Sequence, residues 1–229
     1  MDWRGAAKGG TTVAGIGVRL AERLEEIRQN VDALLPAERM VSVERAIREL
    51  KESRLAEHIL SVGVQAPAFE LPDQAGRAVR STEFGAGTSL IVIFYRGRWC
   101  PYDVTTLETW NQWLPQVEAA GAKLVAISPQ KPQHTFFTAD QHQLQFPVLS
   151  DAGNAVARQF RLVYRLPDYL EQHYRRVFIN LPNSNGDQTW ELPLAATYVI
   201  GRDAKVLHAK AEPDFRFRDE PQQVLGAAV

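Results

Sequence analysis

Leu90-Ile-Val-Ile-Phe-Tyr-Arg-Gly-Arg-Trp-Cys-Pro-Tyr102 is the stretch that decides the fold. Its first six residues form an unbroken apolar, β-rich run, the pattern of a strand covered on both faces. A short connection, Arg96 to Trp99, leads into Cys100. Leu107, Trp110, Leu114 and Val117 follow at helical spacing, so Cys100 opens a helix. Pro101 suits the first helical position, where its missing N–H is not needed. Unpaired N–H groups and the dipole at a helix N-terminus stabilise negative charge, which biases a cysteine there toward the nucleophilic thiolate. Arg96 and Arg98 push the thiol pKa further down if either side chain turns toward the sulfur. A cysteine so placed is either a redox-active thiol or a small buried hydrophobe, and the position favours the first.

Outward from this unit the same texture continues. Lys123–Ser128 reads as a second buried strand, Gln133–Gln143 as a helix, Phe146–Leu149 as a short strand and Asn154–Phe160 as a helix. Tyr198–Ile200 and Val206–His208 flank a turn at Gly201–Ala204 and read as a hairpin. Upstream, Pro67–Arg80 is an extended segment with a turn at Asp73–Gly76. Strands separated by helices and closing on a hairpin predict a mixed α/β sheet with helices on both faces. Arg161–Trp190 shows no clear periodicity and is expected to be an irregular insertion over one end of the sheet.

Before this domain, taken as residues 63–229, Leu20, Leu24, Ile27, Val31 and Leu34 form one helical stripe. A second runs through Met40, Val43, Ile47 and Leu50, then Leu55, Ile59 and Leu60, with Pro36 between them. Residues 13–62 are therefore expected to be an N-terminal helical hairpin, and residues 1–12 a flexible tail. The hairpin is either an arm for a partner, such as the second chain of a homodimer, or a pair of helices packed on their own domain.

The 229 residues, 45% of them hydrophobic, suffice for a sizeable core. A net charge of -1 from 26 basic and 27 acidic residues offers no electrostatic footprint for nucleic acid or an anionic membrane. One cysteine excludes an intramolecular disulfide and fits a reducing compartment, so the protein is expected to be cytoplasmic. Thr11–Val18 is too short and Gly-interrupted for a signal peptide, and no apolar stretch is long enough to span a bilayer. His58, His134, His142, His173 and His208 fit no short metal-ligand spacing, so neither a metal nor another cofactor is expected. Gly15-Ile-Gly17 lacks a preceding strand and a third glycine, which rejects a nucleotide fingerprint.

Tyr95-Arg-Gly-Arg-Trp-Cys-Pro-Tyr-Asp103 resembles the F-Y-R-G-x-W-C-P-Y-C segment of peroxiredoxin-like proteins in the alkyl hydroperoxide reductase and thiol-specific antioxidant (AhpC/TSA) superfamily. Ala66–Asp73, Phe146–Asp151, Ala196–Ile200 and Arg218–Pro221 extend the resemblance over about residues 40 to 225. It implies a thioredoxin-like fold, with Cys100 attacking a hydroperoxide or disulfide substrate. It also implies reduction by an external thiol or a thioredoxin- or glutaredoxin-type protein. The sequence departs from the pattern in three ways. Asp103 replaces the second cysteine of C-x-x-C, so any cycle uses one cysteine. Ile93 and Gly97 stand where ordinary peroxiredoxins have the Pro and Thr that polarise the peroxide. Ala195 stands where relatives place a cis-proline or an arginine.

The expected site is thus Cys100 with Arg96 and Asp103 as catalytic partners, lined by Trp99, Pro101, Tyr102, Ala195, Thr197 and Arg218. Asp103 either relays a proton and raises the thiol pKa by like-charge repulsion, or complements the helix dipole, the simpler reading. Trp99 and Tyr102 either shield the sulfur from water or pack as ordinary aromatics. Arg218 can reach back toward the site. The leading function is a one-cysteine hydroperoxide reductase passing through a sulfenic acid. The alternatives are a monothiol exchanger and a non-catalytic binding module.

Overall fold

The computed structural model describes residues 18–34, 37–84 and 87–228. The tail expected at residues 1–12 lies outside them. In chain order the elements are α1 (Leu20–Leu34), α2 (Ala37–Glu52), β1 (Glu70–Pro72), β2 (Ala78–Arg80), β3 (Ser89–Phe94) and α3 (Pro101–Gln112). Then come α4 (Leu114–Ala119), β4 (Ala122–Ser128), α5 (Pro132–Gln141), β5 (Val148–Ser150), α6 (Ala155–Gln159) and β6 (Val163–Arg165). The chain finishes with α7 (Asp168–Arg176), α8 (Leu181–Asn185), β7 (Glu191–Pro193), β8 (Ala195–Ile200), β9 (Val206–Glu212) and α9 (Pro221–Leu225).

Five strands form the central sheet in the order β5-β4-β3-β8-β9. β3 runs parallel to β4 and antiparallel to β8, with Ile93 opposite Thr197 and Phe94 opposite Ala196. Because side chains alternate across a strand, the apolar run of β3 feeds two cores at once. Val92 and Phe94 pack with Val125, Ile127, Leu149, Phe160 and Tyr198 on one face. Ile91, Ile93 and Tyr95 meet Leu107, Trp110, Leu124, Ala126 and Val199 on the other. Each such side chain contributes about 1.5–3 kcal/mol on burial, so a polar residue anywhere in the run strikes one core or the other.

The helix expected to continue from Leu107 to Val117 is interrupted. α3 ends at Gln112, Trp113 caps it, and a separate helix α4 starts at Leu114 with Pro115 in its first turn, because a proline is tolerated in a first turn and not in a helix interior. The 161–190 segment is also more ordered than its sequence suggested. β6 pairs with β7, and α7 lies between them in the chain. α7 fully buries only Leu170 and Tyr174 and is otherwise mostly polar, too sparse an apolar pattern to register as periodicity.

Both N-terminal helices put their stripes onto their own domain. Leu20, Leu24 and Ile27 of α1 join a core cluster with Cys100 and Tyr102 at the head of α3. Val43 and Ile47 of α2 pack with Leu166, Leu170, Tyr174 and Trp190. The pair therefore grips the domain on two sides, while Leu34 at the end of the α1 stripe stays exposed. Among the described residues no helix is long and apolar enough to cross a membrane.

Candidate active site

Cys100 is the N-cap of α3, in extended conformation (φ -98, ψ 114), and its carbonyl accepts the first helical hydrogen bond from Val104. Its own N–H closes a tight turn onto the Gly97 carbonyl at 3.1 Å. Gly97 is required by geometry. Its φ of +152 disfavours other residues, and a Cβ there would sit 2.5 Å from Trp99 Nε1. The position that carries threonine in ordinary peroxiredoxins is thus filled by the edge of an indole ring.

Turning back along this loop, Arg96 places Nη2 2.6 Å from Cys100 Sγ. Arg96 is itself buried, 2% exposed, and is fixed by several neighbours. Asp103 Oδ2 accepts the Arg96 backbone N–H at 3.0 Å and lies 3.5 Å from its Nε. The guanidinium lies 3.8 Å from the centroid of the Phe215 ring and 5.2 Å from that of Trp99, positions in which a cation is attracted to an aromatic face. Trp99 in turn meets Tyr174 edge-on, and Tyr102 meets Phe215 likewise.

Asp103 is the hub of the cluster. Its Oδ1 accepts Arg218 Nη2 at 2.5 Å, and Arg218 Nη1 donates to the carbonyls of Phe215 and Phe217. Complementing the helix dipole is therefore the lesser part of what this residue does. A carboxylate 1% exposed and tied to two arginines locks the orientation of Arg96, and removing it would strand both cations. The Arg218–Pro221 motif becomes intelligible here. Arg218 binds Asp103, Asp219 binds His208 and Lys210, and Glu220 accepts the N–H groups of Leu20 and Ala21 that begin α1. Pro221 then starts α9.

One expectation is overturned. Burial pushes the Cys100 thiol up to about 11, against the pull of Arg96, and the Asp103 carboxylate adds to the rise. The α3 N-terminus and the nearby arginine do not win because α1 lies over the sulfur and leaves Cys100 only 2% exposed. Arg98 faces away, with Nη2 on Gln141 and its guanidinium near the Phe137 ring.

Of the residues singled out by sequence, the structure gathers Cys100, Arg96, Asp103, Trp99, Pro101, Tyr102 and Arg218. Ala195 and Thr197 lie on β8, with Ala195 opposite Glu212 and Thr197 between Ile93 and Lys210. Among the described residues they share no hydrogen bond or core cluster with Cys100. Sequence reasoning missed Phe215, Tyr164 and Tyr174 around Arg96 and the α1 cover over the sulfur. For the two tyrosines the available signal is the aromatic content of the 161–190 segment; Phe215 and the α1 cover have no local one.

This geometry can be set beside known proteins. The AhpC/TSA family profile matches residues 62–209. The chain belongs to the AhpC/TSA family. Peroxiredoxin Bcp of Escherichia coli K12 is 33% identical over 101 residues, a match covering 44% of this chain and 64% of that protein. This chain thus spans just under two thirds of the length of that curated relative. Peroxidoxin BcpB of Mycobacterium tuberculosis has the same fold, with a TM-score of 0.58 at 21% identity over 74% of this chain and 96% of that one. So has the bacterioferritin comigratory protein of Xanthomonas campestris, studied for alkyl peroxide reduction, with a TM-score of 0.53 at 19% identity over 66% and 88% of the two chains. These structural likenesses establish the peroxiredoxin-type thioredoxin fold. Helix α2, Phe215 and Arg218 lie outside the AhpC/TSA family match.

Proposed function

We propose that this protein is a thiol-dependent antioxidant oxidoreductase that reduces hydroperoxides through Cys100 alone. The observation that carries this reading is the Arg96 guanidinium, anchored by Asp103 and, through it, Arg218, with Nη2 on Sγ at the head of α3. The fold shared with the Xanthomonas campestris protein and its alkyl peroxide chemistry supports it.

In the first half-reaction the thiolate attacks the peroxide, an S–O bond forms, and the O–O bond breaks. The leaving oxygen takes a proton and departs as alcohol or water. Arg96 stabilises both the thiolate and the negative charge developing on that oxygen. Asp103 and Arg218 are positioning residues, while Trp99, Pro101 and Tyr102 shape the pocket. In the second half an external thiol attacks the sulfenic sulfur, water leaves, and a mixed disulfide forms. A second thiol then restores Cys100 and departs as the oxidised disulfide. With Asp103 in the second position of the motif and one cysteine in the chain, the reductant is a small thiol or a thioredoxin- or glutaredoxin-type protein. Sparing use of cysteine supports a reducing, cytoplasmic setting.

The test is hydroperoxide consumption with dithiothreitol as reductant. One dithiothreitol oxidised per peroxide consumed, abolished in Cys100→Ser, supports the reading. Equal rates in both proteins exclude it. The burial of the sulfur beneath α1 favours one second reading, a binding module without turnover. That module would show no peroxide-dependent change at Cys100 at any pH.

A further inference from the structure

A cavity of about 440 Å³ opens beside the cluster just described, and Arg96 lines it. Its walls are mostly apolar, with Val43, Ala46, Ile47 and Leu50 from α2, Leu170 from α7, and Pro213, and carry Glu49, His58 and Arg165 among their polar groups. Cys100 is not among the lining residues, so a ligand entering here meets the guanidinium before the sulfur. The volume falls within the range of about 300–1,000 Å³ common to small-molecule sites.

Charge accounting shows what the floor of this cavity wants. Arg96 and Arg218 bring two positive charges and Asp103 one negative charge, all in residues shielded from solvent. Because burial holds the thiol protonated at neutral pH, Cys100 adds nothing and the cluster keeps one uncompensated positive charge. A buried unpaired cation is costly, and aromatic faces offset only part of that cost. Moreover, the buried Arg96 Nε makes no well-aligned hydrogen bond, and its nearest anion, Asp103 Oδ2, lies 3.5 Å away and also accepts the Arg96 backbone N–H.

We propose that this cavity is a binding site for a small apolar monocarboxylate, with the carboxylate on Arg96 and the hydrocarbon tail between α2 and α7. A planar carboxylate matches the fork of a guanidinium and supplies the single negative charge that is lacking. A doubly charged phosphate overshoots it, and the other cation lining the cavity, Arg165, is already engaged with Asp168 and Glu171. Amines are repelled. Glu49, also in the lining, is occupied by Arg45 and Tyr169 and disfavours leaving an anionic head at that part of the wall. The walls supply affinity through apolar burial and the arginine supplies orientation. Arg96 is then shared between two anions, the bound carboxylate and the Cys100 thiolate, so binding of the acid and ionisation of the thiol oppose each other.

The binding claim does not rest on the peroxidase reading, and the experiment keeps the two apart. Octanoate, octanol and octylamine are titrated calorimetrically into the full-length Cys100→Ser protein, where no thiol chemistry is possible. Octanoate is expected to saturate one site with Kd at or below about 0.1 mM, with octanol at least about tenfold weaker and octylamine silent. Ala46→Trp, which fills the cavity from α2, is expected to weaken octanoate at least about tenfold. Ser53→Trp, at an exposed lining position, provides the same test without disturbing the core. In the unmodified protein, saturating octanoate slows iodoacetamide alkylation of Cys100 by about tenfold. Absence of saturable octanoate binding overturns the proposal. So does octanol binding as tightly as octanoate, which an apolar hydroperoxide pocket without carboxylate recognition would give. Unchanged binding in both tryptophan variants also overturns it.

Discussion

Replacing Arg96 by methionine tests how much of the chemistry at Cys100 depends on one contact. Two unit charges at the 2.6 Å separation of Nη2 and Sγ interact by about 6 kcal/mol at an effective dielectric constant of about 20. A guanidinium spreads its charge over three nitrogens, and one of them touches the sulfur. The contact is therefore worth roughly 2 kcal/mol to the thiolate, or about 1.5 pKa units. Arg96→Met thus raises a thiol already near 11 by about that amount. The assay is iodoacetamide alkylation between about pH 8 and 11, where Cys100 is the only thiol that reports. Below the thiol pKa the wild-type rate climbs about tenfold per pH unit, and the methionine variant runs about 30-fold slower at each pH. Arg96→Lys keeps the charge without the fork and falls between them. Near-ultraviolet circular dichroism confirms that each variant retains its packing. A methionine variant that alkylates as fast as wild type at equal pH, or a wild-type thiol that titrates below about 9, refutes the electrostatic account.

Three further outcomes follow from the packing and the buried charges. Leu24→Ala removes part of the α1 cover, costs about 2–5 kcal/mol in urea unfolding, and speeds alkylation of Cys100 at pH 8. Asp103→Asn leaves Arg218 and Arg96 without their counter-charge and costs about 3–5 kcal/mol by the same measurement, far more than an exposed helix-dipole residue would. For Asp214, burial alone would raise the pKa, but the hydrogen bonds and charge of Arg216, with Lys51 of α2, outweigh it and hold the carboxyl below its ordinary value. Its stabilisation is therefore complete above about pH 4 and is lost as pH falls through the depressed folded value. Hydrogen exchange should show α2, also joined to Arg216 through Glu44, losing protection on acidification before the central sheet does.

What the sequence made legible was local. The run from Leu90 to Tyr95 announced a strand buried on both faces because alternating side chains supply both cores, and the proline after Cys100 announced a helix start. The AhpC/TSA motif then ordered these pieces. What stayed hidden was nonlocal. The family-like motif put Arg218 near the site, but nothing near Asp103 in the chain reveals that the two pair, or that Glu220 anchors α1 so that Leu24 packs with Cys100. The expected low pKa failed for the same reason. Helix position and Arg96 are visible within the motif, whereas the desolvation that outweighs them comes from a helix some 75 residues earlier. Gly97 shows the converse. Its departure from the family pattern looked like a missing function and is also a steric demand of Trp99.

The central claim is that Cys100 is a redox-active thiol. Intact-mass analysis after one equivalent of hydroperoxide at about pH 9 tests it most directly. The account predicts one added oxygen, localised to Cys100, removed by dithiothreitol and absent in Cys100→Ser. A wild-type protein that takes up no oxygen at any pH at which it remains folded would contradict it.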